Sequence, residues 1–146
     1  MTRRLAMALA AASSLFAACA PEPGIGVPQP IQVPGGPAEH FSTLELNILV
    51  PRCATASCHA GESPPAYPPL DAGLAYGALV ASPSQQASLN LVEPFDPAGS
   101  YLVMKLRGTA GDVGGVASAM PIGDAALDEA DIQAIEAWIA NGAPND

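Results

Sequence analysis

Positive charge is scarce in this chain. Five lysines and arginines stand against fourteen aspartates and glutamates in 146 residues, a formal net charge of −9. Phosphate backbones are gripped by basic patches, so nucleic acid is not an expected partner. Histidine is scarcer still, with only His40 and His59. A Ser-His-Asp triad would have to be built on one of them, and no nucleophile motif accompanies either, so the chain reads as a non-enzyme. Alternating strand patterns are missing, and every regular element longer than four residues has helical spacing, which makes the expected fold all-α. Aromatics are few, at 5% of the chain, and long stretches are Ala, Gly, Pro and Ser. A small domain of short helices built this way has difficulty burying enough apolar surface by itself.

Met1-Thr2-Arg3-Arg4 is a short basic region, and Leu5–Ala18 is an apolar run of fourteen residues. About 20 are needed to cross a bilayer as a helix, so residues 1–18 read as an export signal. The run ends Phe16-Ala17-Ala18-Cys19, which resembles the lipobox of bacterial lipoproteins, although that pattern prefers Leu where Phe16 stands. The resemblance implies that Cys19 is lipidated and becomes the mature N-terminus. Ala20, where an aspartate would signal retention at the inner membrane, then implies an outer-membrane anchor facing the periplasm. A soluble periplasmic protein is the alternative. Residues 19–38 carry six prolines and four glycines from Pro21 onward and read as a disordered tether. Residues 39–146 remain as one domain. Without Arg3 and Arg4, the chain from Cys19 onward sets Arg52, Lys105 and Arg107 against fourteen acidic residues, Glu22 of the tether included, a net charge of −11. Such a surface calls for a protein partner with a basic face.

With Cys19 assigned to lipid, Cys53 and Cys58 are left as a pair within Cys53-Ala54-Thr55-Ala56-Ser57-Cys58-His59. Two cysteines followed at once by histidine is the arrangement that attaches haem c: each thiol adds across a porphyrin vinyl group and the imidazole takes the iron. The usual spacer has two residues and this one has four. Residues five apart lie well round a helix, so both thiols reach one ring only if the spacer leaves helical geometry, as a small loop does. Two other readings stay open. The pair could form a disulfide in an exported protein, or Cys53, Cys58, His59 and His40 could hold zinc.

Along the domain, Ser42-Thr43-Leu44-Glu45 reads as a capping box opening a helix to Val50, with Pro51 limiting it. The proline-rich run Pro64–Pro69 offers a backbone carbonyl that could orient a metal-bound imidazole. Leu70–Val80 reads as a helix with Leu70, Leu74 and Leu79 inward, and Leu89–Val92 as a short extended piece. Asp96-Pro97 predicts a helix start, with Gly108 as its stop and Met104 in the core. Gly108–Ala119 is a glycine-rich loop leading to Met120-Pro121. Asp128 caps a last helix with Ile132, Ile135, Trp138 and Ile139 as its stripe and Asn141-Gly142 as its stop.

In their order and spacing these pieces resemble the single-haem class I cytochrome c domains borne by bacterial lipoproteins, over nearly all of residues 39–146. The parts that carry the likeness are Cys53…Cys58-His59, Asp96-Pro97…Tyr101-Leu102, Met120-Pro121 and the Ile135–Ala143 end. The resemblance implies a fold in which the first and last helices cross, with Leu44–Val50 packed on the Ile132–Ile139 stripe. It implies one haem c, bound through Cys53 and Cys58, with its iron between His59 and Met120. His40, ahead of the entry helix, reads as exposed, with the place of substitute sixth ligand as its alternative. The implied function is a one-electron carrier or relay at the periplasmic side of a membrane, meeting a redox protein partner. The alternative is a haem-free structural or binding lipoprotein of the same fold with a Cys53–Cys58 disulfide.

Overall fold

The structure, a computed structural model, describes residues 39–146. The expected signal, the Cys19 lipidation site and the tether lie outside the described residues. Among these residues the regular structure is helical and no strand forms; the extended backbone makes only isolated bridges, Val80 with Val92 and Pro83 with Asn90.

Helix α1 (Phe41–Leu44) runs through a wider π turn (Glu45–Leu49) into α2 (Val50–Arg52). The capping box does not form. The N-cap is His40 without a side-chain bond, and the first donors go to a distant partner: Phe41 N–H to Asp146 Oδ1 at 2.8 Å and Ser42 N–H to the Asp146 carbonyl at 3.0 Å. Glu45 is engaged elsewhere, accepting from Gly73 N–H at 2.9 Å. The helix also runs past Val50. Pro51 has no N–H to place, and just ahead of it the backbone takes the i→i+5 pattern, with Val50 N–H on the Glu45 carbonyl. Cys53 and Ala54 N–H then share the Leu49 carbonyl, at 2.9 and 3.0 Å, and the helix ends.

Helix α3 is shorter than the periodicity predicts, Ala75–Leu79 rather than Leu70–Val80. Gly73 takes a left-handed φ of +79° as its N–H reaches Glu45, which breaks the helix before it starts. Leu70 and Leu79 are buried as expected, while Leu74 is turned out. Helix α4 (Tyr101–Arg107) also begins later than expected. Asp96 Oδ1 accepts from Gly99 N–H at 2.9 Å, so Asp96-Pro97 closes a separate tight turn ahead of the helix. Ser100 is the N-cap, and its hydroxyl ties that turn together through the Asp96 carbonyl and Glu93 N–H, both at 2.8 Å. Gly108, at φ +73°, ends α4 as predicted.

Helix α5 (Glu129–Ala140) matches its sequence signals: Asp128 accepts from Asp131 N–H at 2.9 Å, and Ile132, Ile135, Trp138 and Ile139 are all buried. Phe41 joins α1 to α5, its ring centroid 5.1 Å from that of Trp138, and Tyr76 meets Phe41 edge-on at 5.2 Å. Leu44, Ile48 and Leu49 enter the same core, and Met104 is partly buried against it. Arg107 fastens α4 to α5, meeting Glu136 through Nε at 2.5 Å and Nη2 at 2.8 Å, and Glu129 through Nη1 at 3.2 Å and Nη2 at 3.1 Å.

Candidate functional site

A cavity of about 420 Å³ opens between these elements, within the size range of cofactor sites. Cys53, Cys58, His59 and Met120 all line it. Most of the remaining wall is apolar, with Leu49, Leu79, Leu91 and Leu106 among its residues.

The spacer leaves helical geometry at Cys53, the residue after α2. Thr55 N–H returns to the Cys53 carbonyl at 2.8 Å, Cys58 N–H to Thr55 at 2.9 Å and His59 N–H to Cys53 at 3.3 Å. These bonds fold Ala54–Ser57 into a small closed loop that brings Cys53 back beside the Cys58-His59 dipeptide, as the reading of the four-residue spacer required. Small side chains at Ala54, Thr55, Ala56 and Ser57 let the backbone turn this tightly. The two thiols are free and differ in character. Burial pushes the Cys53 thiol up to about 11, against the opposing pull of Arg52. Cys58 is lowered from the usual thiol value by hydrogen bonds from Thr55 and Ser57.

His59 Nδ1 lies 2.8 Å from the Pro68 carbonyl. A carbonyl only accepts, so Nδ1 carries the proton and Nε2 keeps its lone pair for a metal. The proline-rich loop thus supplies the orienting carbonyl that its sequence suggested. Leu70 N–H, on the His59 carbonyl at 2.8 Å, fixes the backbone of the same residue. The Tyr67–Pro68 and Met120–Pro121 peptides are both cis.

His40 is not part of this cavity. Its Nδ1 lies 2.9 Å from Asp146 Oδ2 at the start of α1, so it is placed neither as a sixth ligand nor as a fourth zinc ligand beside Cys53, Cys58 and His59. Among the described residues no three His, Cys, Asp or Glu side chains gather as a metal-binding group.

Four polar residues of the wall had no site role in the sequence reading: Arg52, Gln86, Tyr101 and Lys105. Tyr101 donates to Gln86 Oε1 at 2.7 Å, and Arg52 Nη2 to the Ala125 carbonyl at 2.7 Å and Asp124 Oδ2 at 3.3 Å. Lys105 is 7% exposed, and burial lowers its ammonium below the usual lysine value. One signal was available in the sequence: Lys105 and Arg52 are two of the domain's three cations, and Lys105 sits inside the otherwise apolar run Tyr101–Leu106.

The donor set fits a haem bound through two sulfurs: two thiols on one loop, an imidazole with an oriented Nδ1, a thioether, and an apolar enclosure. No protein-family model, no curated protein and no solved structure matches this chain.

Proposed function

We propose that residues 39–146 form a cytochrome c-like domain that binds one haem c and carries single electrons. The observation that carries this reading is the convergence of Cys53, Cys58, His59 and Met120 on one largely apolar cavity, although Met120 lies more than sixty residues along the chain. Haem held there supplies the one-electron chemistry of its iron. The chain's own residues do the rest. Cys53 and Cys58 would hold the group through two thioether links, each S–H adding across a vinyl group with its hydrogen on the second carbon, which would need no oxidant. His59 Nε2 and Met120 Sδ would hold the iron, and a thioether ligand would favour its ferrous state. The Pro68 carbonyl holds the imidazole in its ligating tautomer. Phe41 of α1 against Trp138 of α5 accords with the crossing of first and last helices in that family. The domain acts as an exported, lipid-anchored relay in the periplasm, and its acidic surface selects a redox partner with a basic docking face.

The test is the visible spectrum and intact mass of the full chain made alongside a haem c maturation system. Sharp Soret and α bands on reduction, with a tetrapyrrole mass that survives denaturation, are the expected result. A colourless product whose Cys53 and Cys58 resist alkylation until reduced refutes the proposal and leaves the haem-free, disulfide-bonded lipoprotein.

A further inference from the structure

Lys105 is the least economical residue in the cavity wall. An ammonium taken out of water is costly unless it is paired. Among the described residues no carboxylate forms an ion pair with it. Its Nζ instead donates to two backbone carbonyls, Val116 at 2.9 Å and Ser118 at closer range. The main chain of the same residue makes a third bond to the same segment, Met120 N–H to the Lys105 carbonyl at 2.9 Å.

That segment has little else to hold it. Gly115 N–H is bound to the Ala110 carbonyl at 3.0 Å, and Met120 is the next residue whose N–H makes a backbone bond among the described residues. Val116, Ala117, Ser118 and Ala119 are all exposed. Their side chains are small or exposed, and the close passage of Ala117 over Gly111 and of Ala119 over Gly108, with Met120 partly buried against the core, supplements the lysine. A thioether is a weak iron ligand, and its place at the metal depends on how well the protein presents it.

On the haem reading above, we infer that Lys105 is the positioning residue for the sixth ligand: one residue in α4 pins the segment at Val116 and Ser118 through its side chain and at Met120 through its main chain, so that the Met120 thioether is presented into the cavity. Lys105 touches neither iron nor porphyrin in this role; it acts through the loop.

Lys105→Met keeps the volume and deletes the charge and the donors; Lys105→Gln keeps one donor group; Lys105→Arg keeps charge and several. In the haem-loaded full chain, Lys105→Met is expected to lose the long-wavelength sulfur-to-iron charge-transfer band and to show a lower reduction potential, with its Soret band and covalent haem mass intact. Lys105→Gln should be intermediate and Lys105→Arg should recover the band. Arg107→Gln, on the same helix but facing α5, should keep it. Amide exchange at Met120, the bonded N–H of this stretch, measured in the chain without haem, should quicken about tenfold or more in Lys105→Met, the factor carried by one charge-assisted hydrogen bond. Parent-like band and parent-like exchange in folded Lys105→Met or Lys105→Gln overturn the inference. A parent chain that takes up no haem overturns the reading beneath it, and the exchange arm still decides whether Lys105 holds the loop.

Discussion

Gly115 is the position where the glycine-rich loop is pressed hardest against the domain. A Cβ built there would lie 2.9 Å from Tyr101 Cζ and 2.8 Å from Cε2, and nearer still to the hydroxyl. Tyr101 cannot easily give way: it is 3% exposed and its hydroxyl donates to Gln86 at 2.7 Å. Overpacking of this kind costs about 1–3 kcal/mol. Gly115 has no left-handed φ, so alanine regains only the usual ~0.4–1 kcal/mol from a less flexible unfolded chain. Gly115→Ala should therefore destabilise by about 1–2 kcal/mol, a fall in Tm of roughly 5–15 °C for a domain of this size. Gly77, within α3, is the internal control, since nothing lies within 4 Å of its Cβ position. Gly77→Ala should stabilise by about 0.5–1 kcal/mol. Both are measured by urea and thermal unfolding of the full chain in the parent's loading state, followed by circular dichroism and Trp138 fluorescence. Tyr101→Phe removes the closest atom, so Gly115→Ala should cost less in that background. If Gly115→Ala matches the parent, or moves with Gly77→Ala, the loop does not rest on Tyr101 as described.

Three further outcomes are expected. Met120→Ala should leave covalent haem attachment intact but shift the visible spectrum and lower the potential; an unchanged spectrum would remove Met120 from the ligand set. Asp128→Ala should cost about 0.5–2 kcal/mol by urea denaturation, because the Asp131 N–H loses its cap. Asp146 is held below its ordinary 3.8 chiefly by the Phe41 N–H, and more weakly by His40. A depressed folded value means that its contribution is complete above 3.8 and is lost as pH falls through the folded value. Asp146→Asn should therefore flatten the acid limb of the stability–pH curve, and an unaltered limb would show that the Asp146 contacts at α1 are not formed.

Local chemistry made α5 fully legible: its cap, apolar stripe and stop lie within fifteen residues and need no distant partner. The start of α1 was not legible, because the carboxylate that receives Phe41 N–H is 105 residues away. Gly73 and Gly99 account for the displaced starts of α3 and α4, each admitting a turn that outcompetes the first helical turn. In the site, the family resemblance grouped Cys53, Cys58, His59 and Met120 around one haem, and all four line one cavity. Lys105 was missed because a single lysine on a short helix usually extends into water. Its acceptors, the carbonyls of Val116 and Ser118, leave no mark in side-chain sequence.

All three cations of the domain are committed inside it: Arg52 to Asp124 and Ala125, Lys105 to the loop carbonyls, Arg107 to Glu129 and Glu136. Thirteen aspartates and glutamates stand against these three charges in residues 39–146, so the net field is negative. Bilayers rich in anionic headgroups should thus repel the domain over about a Debye length, ~8 Å at physiological ionic strength. In the lipid-anchored setting proposed above, such repulsion would keep its faces open to solution rather than pressed against lipid.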